Sequence, residues 1–199
     1  MNTDLILFAA FSAAIAASCT TASGPERAPR ALIELYDQLA PGGAMEVEFE
    51  RDGTFAEIEA DVPVETVPDL LIRTTRATYP DAQITGAERE VQGDVWTWEV
   101  KFRSGGRSME VVLDDAGTVL ETERELLVTE APQPVLEAAE KAVEGSSFVG
   151  VERITSAKGE VFHVKRQRGT ARYKVVLARD GRILRKVREA VAEIEIPIE

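Results

Sequence analysis

The sequence predicts an α+β fold: tandem repeats of one helix packed on an antiparallel β-meander, preceded by a partial repeat. Three observations carry this. Residues 111–124 read VVLDDAGTVLETER and residues 175–188 read VVLARDGRILRKVR, with a looser copy, VEFERDGTFAEIEA, at residues 47–60. Gly53, Gly117 and Gly181 recur at equal intervals, and the segment 64–125 slides onto 128–189 without a gap. Val64 then meets Val128, Pro68 meets Pro132, Gly86 meets Gly150, Lys101 meets Lys165, and Gly105 meets Gly169. Within each copy a stretch of helical period precedes stretches of period two.

The chain divides accordingly. Residues 1–18 read as a signal peptide, because Leu5–Ala17 is a short apolar run, well under the about 20 residues that a bilayer span needs. Ala16-Ala17-Ser18-Cys19 resembles a bacterial lipobox, whose cysteine carries lipid and becomes the new N-terminus. Cys19 is the sole cysteine, so no internal disulfide can form. Thr20 rather than Asp follows it, which in the sorting signals it resembles directs a lipoprotein to the outer membrane. Residues 19–29 read as a polar tether.

Residues 30–62 form the partial repeat. Leu32, Leu35 and Leu39 share a side of a short helix that Pro41-Gly42-Gly43 ends. A hairpin follows, with Met45, Val47 and Phe49 inward, a turn at Asp52-Gly53, and Phe55 to Ile58 returning. Glu46, Glu48 and Glu50 alternate outward. A lone hairpin is marginal in water, so it is expected to extend the sheet of the next unit.

Residues 63–126 are the first full unit and 127–190 the second. Thr66, Pro68 and Asp69 suit a helix start, and Leu71, Ile72, Thr75 and Tyr79 fall on one face. Their counterparts are Val135, Leu136, Ala139 and Val143. Pro80 and Gly145 mark the helix ends. Three strands follow in each unit. In the first, Trp96, Trp98, Val100 and Phe102 alternate with polar residues, and Met109, Val111 and Leu113 share a face. The third passes through Val119-Leu120, or Ile183-Leu184 in the second unit. Residues 191–199 are an acidic tail.

Charge excludes some functions. The net charge is −12, which disfavours nucleic acid as a partner. The average hides an asymmetry: residues 151–189 carry 12 Lys/Arg against 4 Asp/Glu. One cysteine and one histidine cannot build a Cys/His metal centre of three or four such ligands. His163 has no accompanying nucleophile and orienting group, so it reads as a strand residue rather than a catalytic base. Asp114, Asp115 and Asp180 lack the spacing of a calcium loop and read as turn residues. Trp96 and Trp98 read as core, and Ser104-Gly105-Gly106 and Arg168-Gly169-Thr170 as hairpin tips.

Tyr79-Pro80-Asp81-Ala82, a following strand and hairpin, and Leu113-Asp114-Asp115-Ala116-Gly117 resemble the PepSY-like modules of bacterial envelope proteins. The tandem arrangement is similar to their beta-lactamase-inhibitor-like group. The second unit departs from the pattern, with Glu144-Gly145 in place of Pro80-Asp81. The resemblance implies a non-catalytic protein that binds or inhibits another envelope protein, such as a peptidase. A structural or accessory lipoprotein is the competing reading.

The residues offered for partner binding are Lys165, Arg172, Lys174 and His163, which share one side of the second unit's sheet. Their counterparts in the first unit are Lys101, Ser108, Glu110 and Glu99. Three readings fit three cations on one face: an acidic envelope protein lies opposite, the acidic first unit of the same chain does, or the face is a solvated surface. No cofactor, catalytic residue or small-molecule substrate is expected. For the anchor, the expected outcome is that the protein partitions with membranes into detergent and that Cys19→Ala abolishes this. Mass spectrometry of the mature N-terminus checks it, and an unmodified start at Cys19 would refute the lipid.

Overall fold

The computed structural model describes residues 27–191, with side chains from Arg30 onward. The signal peptide, Cys19, most of the tether and the tail beyond Val191 lie outside the described residues. A first helix, α1 (Arg27–Tyr36), precedes a hairpin of β1 (Met45–Phe49) and β2 (Phe55–Val62). A 3₁₀ turn, Val64–Thr66, leads into α2 (Asp69–Thr78), then β3 (Gln83–Gln92), β4 (Val95–Ser104), β5 (Arg107–Leu113) and β6 (Val119–Leu126). The series then recurs: a turn at Val128–Glu130, α3 (Gln133–Ala142), β7 (Ser147–Ser156), β8 (Gly159–Arg168), β9 (Ala171–Leu177) and β10 (Ile183–Glu189). Every boundary from Val64 to Leu113 reappears one repeat period later.

Two expectations need correction. Each full unit contributes four strands rather than three. In addition, the units do not keep separate sheets. Among the described residues all ten strands form one antiparallel sheet in chain order. The hairpin β1–β2 joins it through β3, and the two units join through β6 and β7, where Leu126 pairs with Val151 and Glu121 with Ser156. The unforeseen strands are β3 and β7. In β3 the run Gly86-Ala87-Glu88-Arg89-Glu90 puts glutamates on one face and Arg89 among the apolar residues of the other. Polar residues on both faces erase the period-two signal.

Local chemistry explains the helix starts. Pro68 and Pro132 sit at the N-caps, with φ of −54° and −59°, and the pyrrolidine ring holds that angle for the turn into the helix. The Thr66 hydroxyl does not cap α2. It donates to the Pro63 carbonyl at 2.7 Å and closes the preceding 3₁₀ turn. Thr75 is buried in α2 because its hydroxyl donates to the Leu71 carbonyl at 3.0 Å.

The three helices lie against one face of the sheet. Under α1, Leu35 meets Met45, Val47, Ile58, Ala60 and Val91, with Trp96 at the margin. Under α2, Leu71 meets Val100, Phe102, Val111 and Leu113. Under α3, Val135 and Ala139 meet Phe162, Val164, Val175 and Leu177. Trp98 is buried under α2, and its indole N–H donates to Asp115 at 2.9 Å while Arg89 stacks on the ring at 4.4 Å. Phe49 is half exposed rather than inward. It packs on Phe55 across the hairpin tip, with ring centroids 4.8 Å apart.

The sheet is strongly curled. Strands lie about 4.8 Å apart, so β1 and β10 in a flat sheet would be roughly 40 Å distant. Instead, Arg185 of β10 forms an ion pair with Glu48 of β1 and lies 3.5 Å from Glu50. Side chains, not backbone pairing, bridge the first and last strands. The helices therefore cover the convex face, and the other face turns inward on itself.

Packing at the turns yields a test. Gly53 and Gly181 have φ of +88° and +87°. A Cβ at Gly53 would meet open space, whereas at Gly181 it would sit 2.5 Å from the Pro134 carbonyl oxygen of α3. Gly53→Ala should cost about 1 kcal/mol, the strain of a left-handed alanine alone. Gly181→Ala should lower the melting temperature clearly further, because α3 must also move. Phe162→Ala should cost about 3–5 kcal/mol in denaturant unfolding.

Candidate functional site

The inward face carries rows of charged side chains. Cross-strand register sets the pattern, because residues directly opposite in antiparallel strands share a face. Glu46 lies opposite Glu59, Glu59 opposite Glu90, Glu48 opposite Glu57, Glu88 opposite Glu99, and Glu110 opposite Glu123. Farther along, Glu152 faces His163, and Lys165 faces Lys174. Like charges at such positions lie about 5 Å apart and repel. The curl eases this by bringing acidic strands β1–β7 to face basic strands β8–β10, and protonation of buried carboxyls eases it further.

Specific pairs relieve the repulsion. Lys101 forms an ion pair with Glu88, and Lys165 with Glu152 at 2.8 Å. These two pairs are equivalent, since both partners are displaced by one repeat period. At other equivalent positions the two units differ in charge: Glu99 answers to His163, and Glu110 to Lys174. The second unit thus keeps the framework of the first and supplies cations in place of acids. Lys174 acts electrostatically on Glu46, Glu48, Glu59 and Glu123, which belong to three different strands.

Burial governs the protonation states. Burial first, then repulsion from Glu88, pushes the Glu46 carboxyl up to about 8. The same desolvation, reinforced by neighbouring carboxylates, holds Glu57, Glu59, Glu99 and Glu123 well above the ordinary range. Lys101 and Lys165 are both raised. Burial opposes their charge, but Glu88 and Glu152 respectively outweigh it. His163 is pushed well down by burial and then by Lys174 and Lys165, so its imidazole is neutral.

These side chains surround a cavity of about 350 Å³, lined by Glu46, Glu59, Glu99, Lys101, Glu110 and Glu123 on one side and Glu152, His163, Lys165 and Lys174 on the other. The four residues expected to bind a partner therefore part company. His163 and Lys174 are 3% and 2% exposed, and Lys165 is half-buried. Arg172, at the cavity's edge, is exposed. Glu48, placed outward from its sequence, is buried against Arg185. Glutamates recurring at period two, Glu121, Glu123 and Glu125, marked Glu123 in the sequence, whereas nothing around Glu152 set it apart.

The remaining candidates sit at turns. Asp114 accepts the backbone N–H groups of Ala116 and Thr118 at 3.0 and 2.7 Å, as a turn aspartate does. Asp81 accepts from the Ser104 hydroxyl and the Gly105 N–H at 2.6 and 2.9 Å, tying the end of α2 to a hairpin tip.

Residues 34–121 match the family model described as "Putative beta-lactamase-inhibitor-like, PepSY-like". Over that stretch the chain is similar to the PepSY-like family. The match runs from within α1 into β6, so the PepSY-like stretch includes the partial repeat and most of the first full unit. No curated protein matches the chain. Among solved structures, one of the "putative periplasmic proteins" of Bacteroides eggerthii is similar at a TM-score of 0.52 and 16% identity, covering 61% of this chain and 88% of its own. A DUF2874 family protein of Bacteroides uniformis is similar at a TM-score of 0.51 and 18% identity, covering 61% and 89%. Both likenesses show the fold.

The charged interior makes stability depend on pH. A carboxyl raised from 4.5 to about 8, as Glu46 is, binds more protons in the folded than in the unfolded chain across that window. Its contribution is full at low pH and is lost as pH rises. His163 runs the other way, its contribution being lost as pH falls below 6.5. The raised carboxyls outnumber the single histidine. The melting temperature should therefore fall between about pH 6.5 and about pH 8, and Glu46→Gln with Glu59→Gln should flatten the decline.

Proposed function

We propose that this PepSY-like chain is a non-catalytic binding protein of the bacterial envelope, held by lipid on Cys19 at the outer membrane and facing the periplasm. Its two full units derive from duplication of one helix-and-strands module, and its partner is an acidic envelope protein, such as a peptidase, that binding would inhibit. The observation that carries the reading is the exposed charge of the last hairpins. Arg168, Arg172, Arg179, Arg182, Lys186 and Arg188 are all exposed, on a chain whose net charge is −12. Buried Lys165 and Lys174 serve the interior, so a partner would meet Arg172 and its exposed neighbours instead. The family match and the periplasmic description of a structural neighbour support the envelope setting.

The two kinds of cation separate experimentally. Arg172→Glu with Arg188→Glu should abolish capture of an acidic partner from envelope extract at a smaller cost in melting temperature than reversal of the buried lysines. Wild-type capture should weaken as ionic strength rises. Lys165→Glu with Lys174→Glu should instead lower the melting temperature. If the Arg172/Arg188 variant captures the same proteins as the wild type, the binding reading fails and a structural or accessory lipoprotein takes its place.

A further inference from the structure

The cavity wall where acidic and basic strands meet holds a donor set of a different kind from the rest. Glu123 of β6, Glu152 of β7 and His163 of β8 bring one ligand atom each to within 4.8 Å of one another. Three adjacent strands supply them. Glu152 lies directly opposite His163, and Glu123 lies opposite Ile154, one step along the same face from Glu152. Strand backbones hold such groups in place more firmly than loops do. All three line the 350 Å³ cavity, which has room for an ion and its remaining waters.

Two other groups, Glu57 with Glu59 and Glu90, and Glu99 with Glu110 and Glu123, consist of carboxyls alone. Shared protons relieve such clusters without any ion. His163 makes the difference, because a nitrogen donor beside two oxygen donors selects borderline transition-type cations over calcium or magnesium.

We propose that Glu123, Glu152 and His163 form a binding site for a divalent cation of the zinc type, with its open coordination positions facing the cavity. The neutral imidazole of His163 is the form that ligates. The cavity is lined by eight glutamates against five Lys/Arg, so its electrostatics admit a further positive charge. Lys165 is the competitor, since its ammonium lies 2.8 Å from Glu152. Entry of the cation exchanges one positive charge for another at Glu152 and releases protons from the raised carboxyls around it.

The test uses the full chain, stripped of metal and titrated with zinc chloride by calorimetry, with zinc retained after dialysis measured by elemental analysis. One zinc per chain is expected, together with a raised melting temperature. His163→Ala and Glu123→Gln should each weaken binding about tenfold or more. Lys165→Met should strengthen it, a gain that a merely damaged fold would not produce. Glu57→Gln, in the all-carboxyl group, should leave it unchanged. With cobalt as the probe, His163→Ala should shift the visible absorption bands. Failure to retain zinc overturns the site, as does zinc retained equally by His163→Ala, which would place the ion elsewhere. Should His163→Ala prove unfolded by circular dichroism, Glu123→Gln and Lys165→Met decide alone, and unchanged affinity in both overturns the proposal.

Discussion

The structure depends on one constraint: a ten-stranded sheet with a charged face must hide that face from itself as well as from water. Carboxyl faces carboxyl repeatedly across the first six strands, from Glu46 and Glu59 to Glu110 and Glu123. A flat sheet would leave these rows to repel across the strands. Curling brings the cations of β8–β10 over the acids of β1–β7, and Arg185 fixes the arrangement by reaching Glu48 and Glu50 on and beside the first strand. Removing one partner of such a buried pair would leave an uncompensated charge, so the interior is built as a whole.

Repetition provides this complementarity. The ion pairs Lys101–Glu88 and Lys165–Glu152 occupy equivalent places in the two units and hold the middle of each strand set. Around that shared frame, Glu99 gives way to His163 and Glu110 to Lys174. A repeat with identical charges would face acid with acid. Exchange at a few inward positions converts the second unit into a counterpart for the first, while the apolar face under α2 and α3 stays alike. There Trp98, Val100, Phe102 and Val111 correspond to Phe162, Val164, Arg166 and Val175, with only Phe102 replaced by a charged residue. Arg166 is buried because its guanidinium donates to the Ser146 hydroxyl and carbonyl, both at 2.7 Å.

The curl also sorts the cations: Lys165 and Lys174 are withdrawn into the interior, while Arg168, Arg182 and Arg188 of the last hairpins lie at the surface. The same burial that keeps the glutamates protonated keeps His163 neutral. One physical cause thus shapes both stability against pH and the charge state of the interior.

Much of the local architecture was legible in the residues themselves. The repeat period, the helix faces of Leu71 and Val135, the glycine turns and the hairpins follow from patterns within a few residues, where backbone sterics and periodicity act directly. Strands β3 and β7 escaped because their two faces both carry charge, so alternation did not separate polar from apolar. The destination of the outward residues was also beyond the sequence. Period two shows that Glu48, His163 and Lys174 share the face opposite the helices, but not whether that face meets water. Curvature decides this, and curvature is a property of ten paired strands together. Only the curled sheet brings Arg185 of the last strand to Glu48 of the first, whereas Glu123, Glu152 and His163 become neighbours through the pairing of β6, β7 and β8.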